Sequence, residues 1–159
     1  MLALAALALS APNVRDGREA FAAARASYRL EADDVVLQSH PRGCGAALLA
    51  TLLSRRGLPA TEADLLDAAP PGPDGISLAR FAEVARRRGL HGTWRRASDL
   101  PTPGFVAHLA RPEGHFVWVA ERAGDYVRIV DPAEGEGLWH VDRLARRWSG
   151  RYLRLERAS

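Results

Sequence analysis

The sequence predicts an α+β fold, with an N-terminal helical half packed on a C-terminal antiparallel sheet. Apolar residues recur at helical spacing in several segments up to Arg88. Beyond that point, short runs rich in β-branched and aromatic residues alternate with turn residues, as in strands joined by hairpins. Because helices and strands occupy separate parts of the chain, we expect a helical layer on one side of a sheet. The 159 residues suffice for one such domain with a substantial core.

The chain begins with an apolar run over residues 2–9 that ends in small residues. This run is too short to cross a bilayer, so no transmembrane span is expected. Its length and its small-residue end fit a signal peptide over residues 1–11, which predicts export to the periplasm. Because no basic residue precedes the run, a packed N-terminal helix and a cytoplasmic location remain the alternative. Residues 12–34 are expected to form an N-terminal helical extension, and residues 35–159 the main domain.

Three helices are predicted between this extension and the sheet. They cover residues 46–56, a short segment that begins after Thr61, and residues 78–88. Thr61 and Asp64 have the spacing of a capping box, in which each side chain bonds the backbone N–H of the other residue. Ser77 is the expected N-cap of the third helix. The proline-rich segment 70–75 is expected to form a rigid loop that rims a site.

The second half of the chain is predicted to consist mostly of strands. The expected strands cover residues 92–95, 105–109, 115–120, 126–130 and 138–141, followed by a short helix over 142–148 and a strand over 152–155. Two connections, residues 111–114 and 123–125, are short enough for antiparallel hairpins. These hairpins would make three consecutive strands neighbours in one sheet.

The composition excludes several classes of protein. At 47% hydrophobic and 26% charged residues, it is ordinary for a globular protein. One cysteine allows no internal disulfide and no cysteine-rich zinc site, and the five histidines lack metal-ligand spacing, so we expect no metal and no other cofactor. All 22 basic residues are arginines, but the net charge is only +3. The arginine runs at 86–88 and 146–147 fall at predicted helix ends, where cations face solvent and favour the dipole, so no nucleic-acid partner is expected.

The one cysteine lies at the start of a predicted helix. Cys44 is flanked by Gly43 and Gly45, and the strongly helical segment follows directly. Unpaired backbone N–H groups and the positive dipole end at such a position favour a thiolate, the form that acts as a nucleophile. Gln38, shortly before it, carries an amide that could donate to a developing oxyanion. The alternative interpretation is a buried cysteine that serves only as a small apolar residue.

A thiolate nucleophile needs a base and a group that orients the base. His115 begins one predicted strand, and Asp131 follows the end of the next. If the two strands pair as a hairpin, both side chains reach one edge of the sheet. The sequence therefore predicts a triad of Cys44, His115 and Asp131, with Gln38 and the Cys44 N–H as oxyanion donors.

Two other histidines are alternative bases. His40 lies in the loop before the cysteine, without a paired acid from a neighbouring strand. His108 lies late in a predicted strand, where the alternation of side chains buries it or turns it outward. Both interpretations rank behind His115, which has a carboxylate at the expected place.

Several short motifs together resemble one known family. They are Gln38 followed by Cys44-Gly45-Ala46-Ala47, then Gly75-Ile76-Ser77-Leu78, His115-Phe116-Val117, Val130-Asp131-Pro132 and Arg147-Trp148-Ser149-Gly150. Their order and spacing are similar to those of the bacteriocin-processing double-glycine peptidases, the papain-like domains of peptide-exporting ABC transporters, which also occur alone. The resemblance implies a papain-like cysteine peptidase domain over residues 35–159. It also implies Cys44 as nucleophile, His115 as base, Asp131 as orienting group and Gln38 as oxyanion donor.

The expected function is that of a stand-alone cysteine endopeptidase that hydrolyses a leader peptide or a small exported protein. The resemblance implies cleavage after small residues such as Gly-Gly, because a narrow channel over the thiolate admits only residues without bulky side chains. The partners would be the peptide substrate and a separate exporter or secretion system, and the enzyme would act as a monomer. A non-catalytic peptide-binding module on the same fold is the alternative function. Amidase or acyl-transfer chemistry on the same triad is a third hypothesis for the function.

Overall fold

The computed structural model describes residues 34–110 and 113–157. Within these ranges, the helices are α1 (Cys44–Ser54), α2 (Glu62–Ala68), α3 (Leu78–Arg87) and α4 (Val141–Arg147). The strands are β1 (Leu90–His91), β2 (Trp94–Arg96), β3 (Phe105–Leu109), β4 (His115–Ala123), β5 (Tyr126–Asp131), β6 (Gly135–His140), β7 (Trp148–Leu153) and β8 (Glu156–Arg157). The predicted signal peptide, and the predicted N-terminal extension up to residue 33, lie outside the described residues.

Helix α1 is the buried centre of the helical half. Its residues from Cys44 to Leu53 are all buried, so the helix is surrounded by other parts of the chain. Thr51 donates from Oγ1 to the Ala47 carbonyl at 3.1 Å and accepts the Val36 N–H at 2.9 Å. The helix begins at Cys44 rather than at residue 46, because burial of this end outweighs the low helix propensity of Gly45.

The two predicted N-caps are confirmed. In α2, the Thr61 side chain accepts the Asp64 N–H, and the Asp64 carboxylate accepts the Thr61 N–H at 3.0 Å, which completes the capping box. In α3, the Ser77 hydroxyl accepts the Arg80 N–H at 3.2 Å. Each such cap stabilises its helix by about 1 kcal/mol. Both helices therefore start where the sequence predicts.

The strands of the described residues form a six-stranded antiparallel sheet in the order β2-β7-β3-β4-β5-β6, and β1 pairs separately with β8. Strands β3, β4 and β5 are neighbours, as the two hairpin connections predict. Strand β7 differs from its prediction, because it covers residues 148–153 rather than 152–155. Its first half contains Ser149 and Gly150 and is irregular: the pairing with β3 shifts register there, and Gly150 has a φ of +78°. Pairing of Trp148 with Leu109 of β3 nevertheless keeps this part in the sheet.

Both faces of the large sheet are covered, because alternate residues of its central strand belong to different apolar clusters. Phe116 of β4 joins the cluster of α1 and α3, where its ring stacks on Phe81 with 4.9 Å between centroids. The next residue, Val117, joins a second cluster that includes Leu144 of α4. The predicted α+β class and the helical layer are confirmed. The cover that α4 provides on the second face is an addition to the prediction.

Candidate active site

Cys44 lies at the N-terminus of α1 and lines a cleft of about 920 Å³ between the helical half and the sheet. The residue is only 7% exposed, so it is buried on every side except toward the cleft. No side-chain hydrogen bond caps α1 at Gly43, and no acidic residue lies in its first turn. The predicted rim loop contributes residues 73–75 to the cleft wall. The predicted nucleophile is therefore positioned to meet a bound molecule.

Glycine at position 45 lets the start of α1 approach its neighbours closely. A Cβ on Gly45 would overlap Cγ2 of Ile76 and would come within 3.4 Å of the rings of Phe81 and Phe116. Phe116 is the residue after His115 in β4. The close approach of α1 to the sheet thus brings the cysteine at its start next to His115.

Strands β4 and β5 bring His115 and Asp131 together. These strands pair Trp118 with Val130, and the continued register places Asp131 diagonally across from His115. The Nε2 atom of His115 lies 2.7 Å from Oδ1 of Asp131. Cys44 lines the same cleft as His115, and its interaction with the imidazole favours the protonated ring. The structure therefore joins His115 and Asp131 by a hydrogen bond and places Cys44 in the same cleft wall.

The surroundings of His115 and Asp131 shift the pKa values of both residues. Burial lowers the pKa of His115, but the hydrogen bonds and charges of Asp131 and Cys44 outweigh it and raise this pKa to about 9. Burial raises the pKa of Asp131, but the hydrogen bond and charge of His115, together with the Ala133 N–H at 2.8 Å, hold it below its usual range. At neutral pH the pair is therefore an imidazolium and a carboxylate. The carboxylate holds the ring in one orientation.

Gln38 lines the same cleft. Its backbone N–H donates to the Pro132 carbonyl at 2.8 Å, which fixes Gln38 beside the turn after Asp131. Its side-chain Nε2 donates to the carbonyls of His40 and Pro41 at 3.1 and 3.3 Å. An oxyanion role for this amide thus requires one of its hydrogens to turn toward the cleft. Its Oε1 atom is buried and has no hydrogen-bond partner among the described residues.

The two alternative bases are placed differently. His40 is exposed, accepts a backbone N–H of its own loop at 3.1 Å, and is not among the described residues that line the cleft. His108 lines the cleft, but its Nδ1 atom lies 2.9 Å from the Ser149 hydroxyl rather than beside a carboxylate. Burial and the charges of Arg151 and His115 lower the pKa of His108. His115 is therefore the better-placed base.

One cleft residue differs from its sequence prediction. Arg147 was expected to face solvent at a helix end, but it is half-buried and lines the cleft. Its guanidinium lies 4.9 Å from the ring centroid of Trp139, and its positive charge favours the ionised Asp131 carboxylate. The sequence does contain a signal that Arg147 belongs to the site, because Arg147 lies just before Trp148 in the last motif of the family resemblance.

The fold is that of a papain-like peptidase domain, as the sequence predicts. The peptidase C39 family matches residues 33–159, so the chain belongs to this family. The fold is similar to the crystal structure of a double glycine motif protease from an AMS/PCAT transporter in complex with the leader peptide. That match has a TM-score of 0.70 and 24% identity, and it covers 78% of this chain and 91% of the other.

Two relatives of this chain have names that state an activity. The chain is 28% identical over 130 residues to the probable functional amyloid protease FapD of Pseudomonas aeruginosa, covering 74% of this chain and 58% of that protein. It is 25% identical over 126 residues to LagD, the lactococcin-G-processing and transport ATP-binding protein of Lactococcus lactis, covering 73% of this chain and 18% of that protein. The chain thus spans less than two thirds of either relative. Within the part of the chain that the structure describes, no helix is both long and apolar enough to cross a membrane.

Proposed function

We propose that this chain is a cysteine endopeptidase that cleaves a leader peptide or a small exported protein after small residues. The observation that carries the proposal is the His115–Asp131 hydrogen bond in the wall of a cleft that Cys44 also lines, at the start of a helix. Membership of the peptidase C39 family supports the same activity.

In the proposed mechanism, the Cys44 thiolate attacks the scissile carbonyl carbon, and the carbonyl electrons move onto its oxygen. The Cys44 N–H and the Gln38 amide donate to this oxyanion. The His115 imidazolium gives its proton to the leaving amine as the C–N bond breaks, which leaves a thioester on Cys44. Neutral His115 then takes a proton from water, whose oxygen attacks the thioester and releases the acid product and the thiolate. Asp131 keeps the imidazole oriented throughout.

The relatives support a peptide or an exported protein as the substrate. LagD is named for processing lactococcin G, FapD is named as a functional amyloid protease, and the structural neighbour contains a leader peptide. The structural neighbour is a double glycine motif protease, which supports a preference for small residues before the cut. We therefore propose Gly-Gly or a similar small pair before the cut.

The direct test uses peptides that end in Gly-Gly, Ala-Ala or Leu-Leu ahead of an aminomethylcoumarin amide. We expect the wild-type protein to release the fluorophore fastest after Gly-Gly, and Cys44→Ala to be slower by about 10³-fold or more, because the nucleophile is lost. Iodoacetamide should remove activity in proportion to the fraction of Cys44 alkylated, as measured by mass spectrometry. Equal rates for the wild type and Cys44→Ala would rule out the mechanism.

Two further outcomes separate the alternatives. His115→Ala should reduce kcat by about 10²-fold or more, because the proposed proton donor to the leaving amine is lost. If instead His108→Ala is the inactive variant, the base has been assigned wrongly. A wild-type protein that binds the Gly-Gly peptide in calorimetry but releases no fluorophore would be a peptide-binding module on the same fold.

A further inference from the structure

A buried carboxylate that the proposed mechanism does not use lies beside the loop ahead of Cys44. Glu62 is the first residue of α2 and is 7% exposed. Its Oε2 atom accepts the Ser39 hydroxyl at 2.7 Å and the Ser39 N–H at 2.9 Å, and its Oε1 atom lies 3.1 Å from the same nitrogen. Because a buried carboxylate is costly unless hydrogen bonds satisfy it, these contacts fix Glu62 and Ser39 relative to each other.

The same carboxylate contacts the other end of this loop. A Cβ on Gly43 would overlap Oε1 of Glu62 and would lie 3.1 Å from the His40 carbonyl oxygen. Gly43 also donates its N–H to that carbonyl at 2.9 Å, which closes residues 39–43 into a tight turn. The glycine at position 43 therefore leaves the space that the Glu62 carboxylate fills. We refer to residues 39–43 as the Glu62-bound loop.

The Glu62-bound loop connects the two proposed oxyanion donors. Gln38 precedes it, and Cys44 follows it. On its other side, Gln38 is held by the bond from its backbone N–H to the Pro132 carbonyl at 2.8 Å. The position of the loop therefore sets the distance between the Gln38 amide and the Cys44 N–H. Donors to an oxyanion act only when each lies at hydrogen-bond distance from the place where the charge develops.

We propose that Glu62 is a positioning residue for the oxyanion site. Its carboxylate hydrogen-bonds Ser39 at one end of the Glu62-bound loop and fills the space beside Gly43 at the other. The loop in turn places Gln38 and the Cys44 N–H around one substrate oxygen. This role rests on the proposed peptidase function. It differs from a purely structural role, because it affects a reaction that passes through an oxyanion and spares a reaction of the same thiol that does not.

The first experiment compares two reactions of Cys44 in Glu62→Gln. This substitution keeps the size of the side chain but places an NH₂ group where a carboxylate oxygen accepts a donor. For the Gly-Gly coumarin peptide we expect kcat to fall by about tenfold or more with KM changed by less than about threefold, because donor placement acts on the transition state. Alkylation of Cys44 by iodoacetamide, which forms no oxyanion, should keep its rate or increase. The matched control is Glu83→Gln, a carboxylate on the outer side of α3 that pairs with Arg80 and should leave both rates unchanged.

The second experiment is a mutant cycle between Gly43→Ala and Glu62→Ala. A methyl group at position 43 displaces the Glu62 carboxylate, so either single change should release the loop. We expect kcat of the double variant to equal that of the slower single variant within about threefold, rather than the product of the two losses. Urea unfolding of the same four proteins gives a readout that does not depend on turnover, and it should show the same non-additivity.

The outcomes separate this proposal from the proposed function. A wild-type protein with no Cys44-dependent cleavage would overturn the proposed function, and the positioning role with it. If the wild type cleaves but Glu62→Gln keeps its kcat, or loses kcat and alkylation rate together, Glu62 is not a positioning residue for the oxyanion site. Additive losses in the mutant cycle would also overturn the proposal, because they would mean that Gly43 and Glu62 act separately.

Discussion

The charge of His115 is set by a competition between burial and its two hydrogen-bonded neighbours. Burial favours the neutral imidazole, but Asp131 and Cys44 together raise its pKa to about 9. The ring therefore keeps its proton through the whole neutral range. In the proposed mechanism this proton goes to the leaving amine, so the protonated form is the active one. His108, whose pKa is lowered by burial and by nearby positive charge, has the opposite state and cannot take this role at neutral pH.

The first prediction concerns the pH dependence of cleavage. Because the active form carries the imidazolium, kcat/KM for the Gly-Gly peptide should stay high through neutral pH and fall as the pH rises through about 9. Initial rates in overlapping buffers of constant ionic strength measure this limb. An alkaline limb near 6.5, the ordinary value for histidine, would show that Asp131 and Cys44 do not hold the proton as the structure implies.

The second prediction concerns the carboxylate that orients the ring. Asp131→Asn should lower kcat by about 10²-fold, because a neutral amide no longer fixes the imidazolium. The same change should move the alkaline limb to lower pH, because the main group that raises the pKa of His115 is lost while burial remains. Asp142→Asn is the matched control, since Asp142 also lies near a histidine, at 3.4 Å from His140, but on an exposed surface. If Asp131→Asn lowers kcat but its alkaline limb stays near pH 9, Asp131 acts without setting the pKa of His115.

At the scale of elements, a glycine lies near each end of helix α1, and the two glycines have different roles. Gly45 allows close packing of the helix start on Ile76 and Phe116. Gly57 follows the helix end with a φ of +70°, where a Cβ would meet no atom within 4 Å. Gly45 is therefore required for close packing, and Gly57 for a left-handed backbone conformation.

The third prediction uses this difference. Gly45→Ala should destabilise the protein by about 1–3 kcal/mol through overpacking, and it should also lower kcat because the start of α1 must move away from His115. Gly57→Ala should cost about 1 kcal/mol through backbone strain alone and leave kcat unchanged. Urea unfolding and peptide cleavage of the two variants give both quantities. Full activity in Gly45→Ala would show that the placement of Cys44 does not depend on this contact.

How much of the fold the sequence predicts depends on how local each signal is. The capping box of α2, the Ser77 cap and the hairpin register are set by residues close together in the chain, and they are predicted well. The register of β4 and β5 in turn predicts that His115 and Asp131 lie close together. The start of β7 at Trp148, ahead of the irregularity at Gly150, depends on pairing with β3, which lies far away in the chain. The approach of Glu62 to Ser39 also depends on distant packing, and no local pattern points to it.

At the scale of the whole molecule, two groups of polar contacts join α1 to the sheet. At its start, Cys44 interacts with His115 of β4 and favours the protonated imidazole. At its end, Arg55 donates to the fully buried carboxylate of Glu136 in β6 at 3.4 Å and pairs with Asp34 at 2.6 Å. Arg128 of β5 donates to the other oxygen of Glu136 at 2.7 Å. The helical half is therefore joined to the sheet at both ends of α1. The contacts at the end near the cleft include His115, which has a pKa of about 9.

The final prediction follows from that titration. The pKa of His115 rises from 6.5 to about 9 on folding, so the folded state binds this proton more tightly than the unfolded state does. The stability that the proton contributes is fully present below 6.5 and is lost as the pH rises through 9. Urea unfolding of the wild type should therefore lose about 2 kcal/mol more between neutral pH and about pH 10 than unfolding of His115→Asn, in which the other titrating groups remain. Equal losses in the two proteins would mean that the imidazolium does not help to hold α1 against the sheet, and the interactions of His115 with Asp131 and Cys44 would then be weaker than a pKa of about 9 indicates.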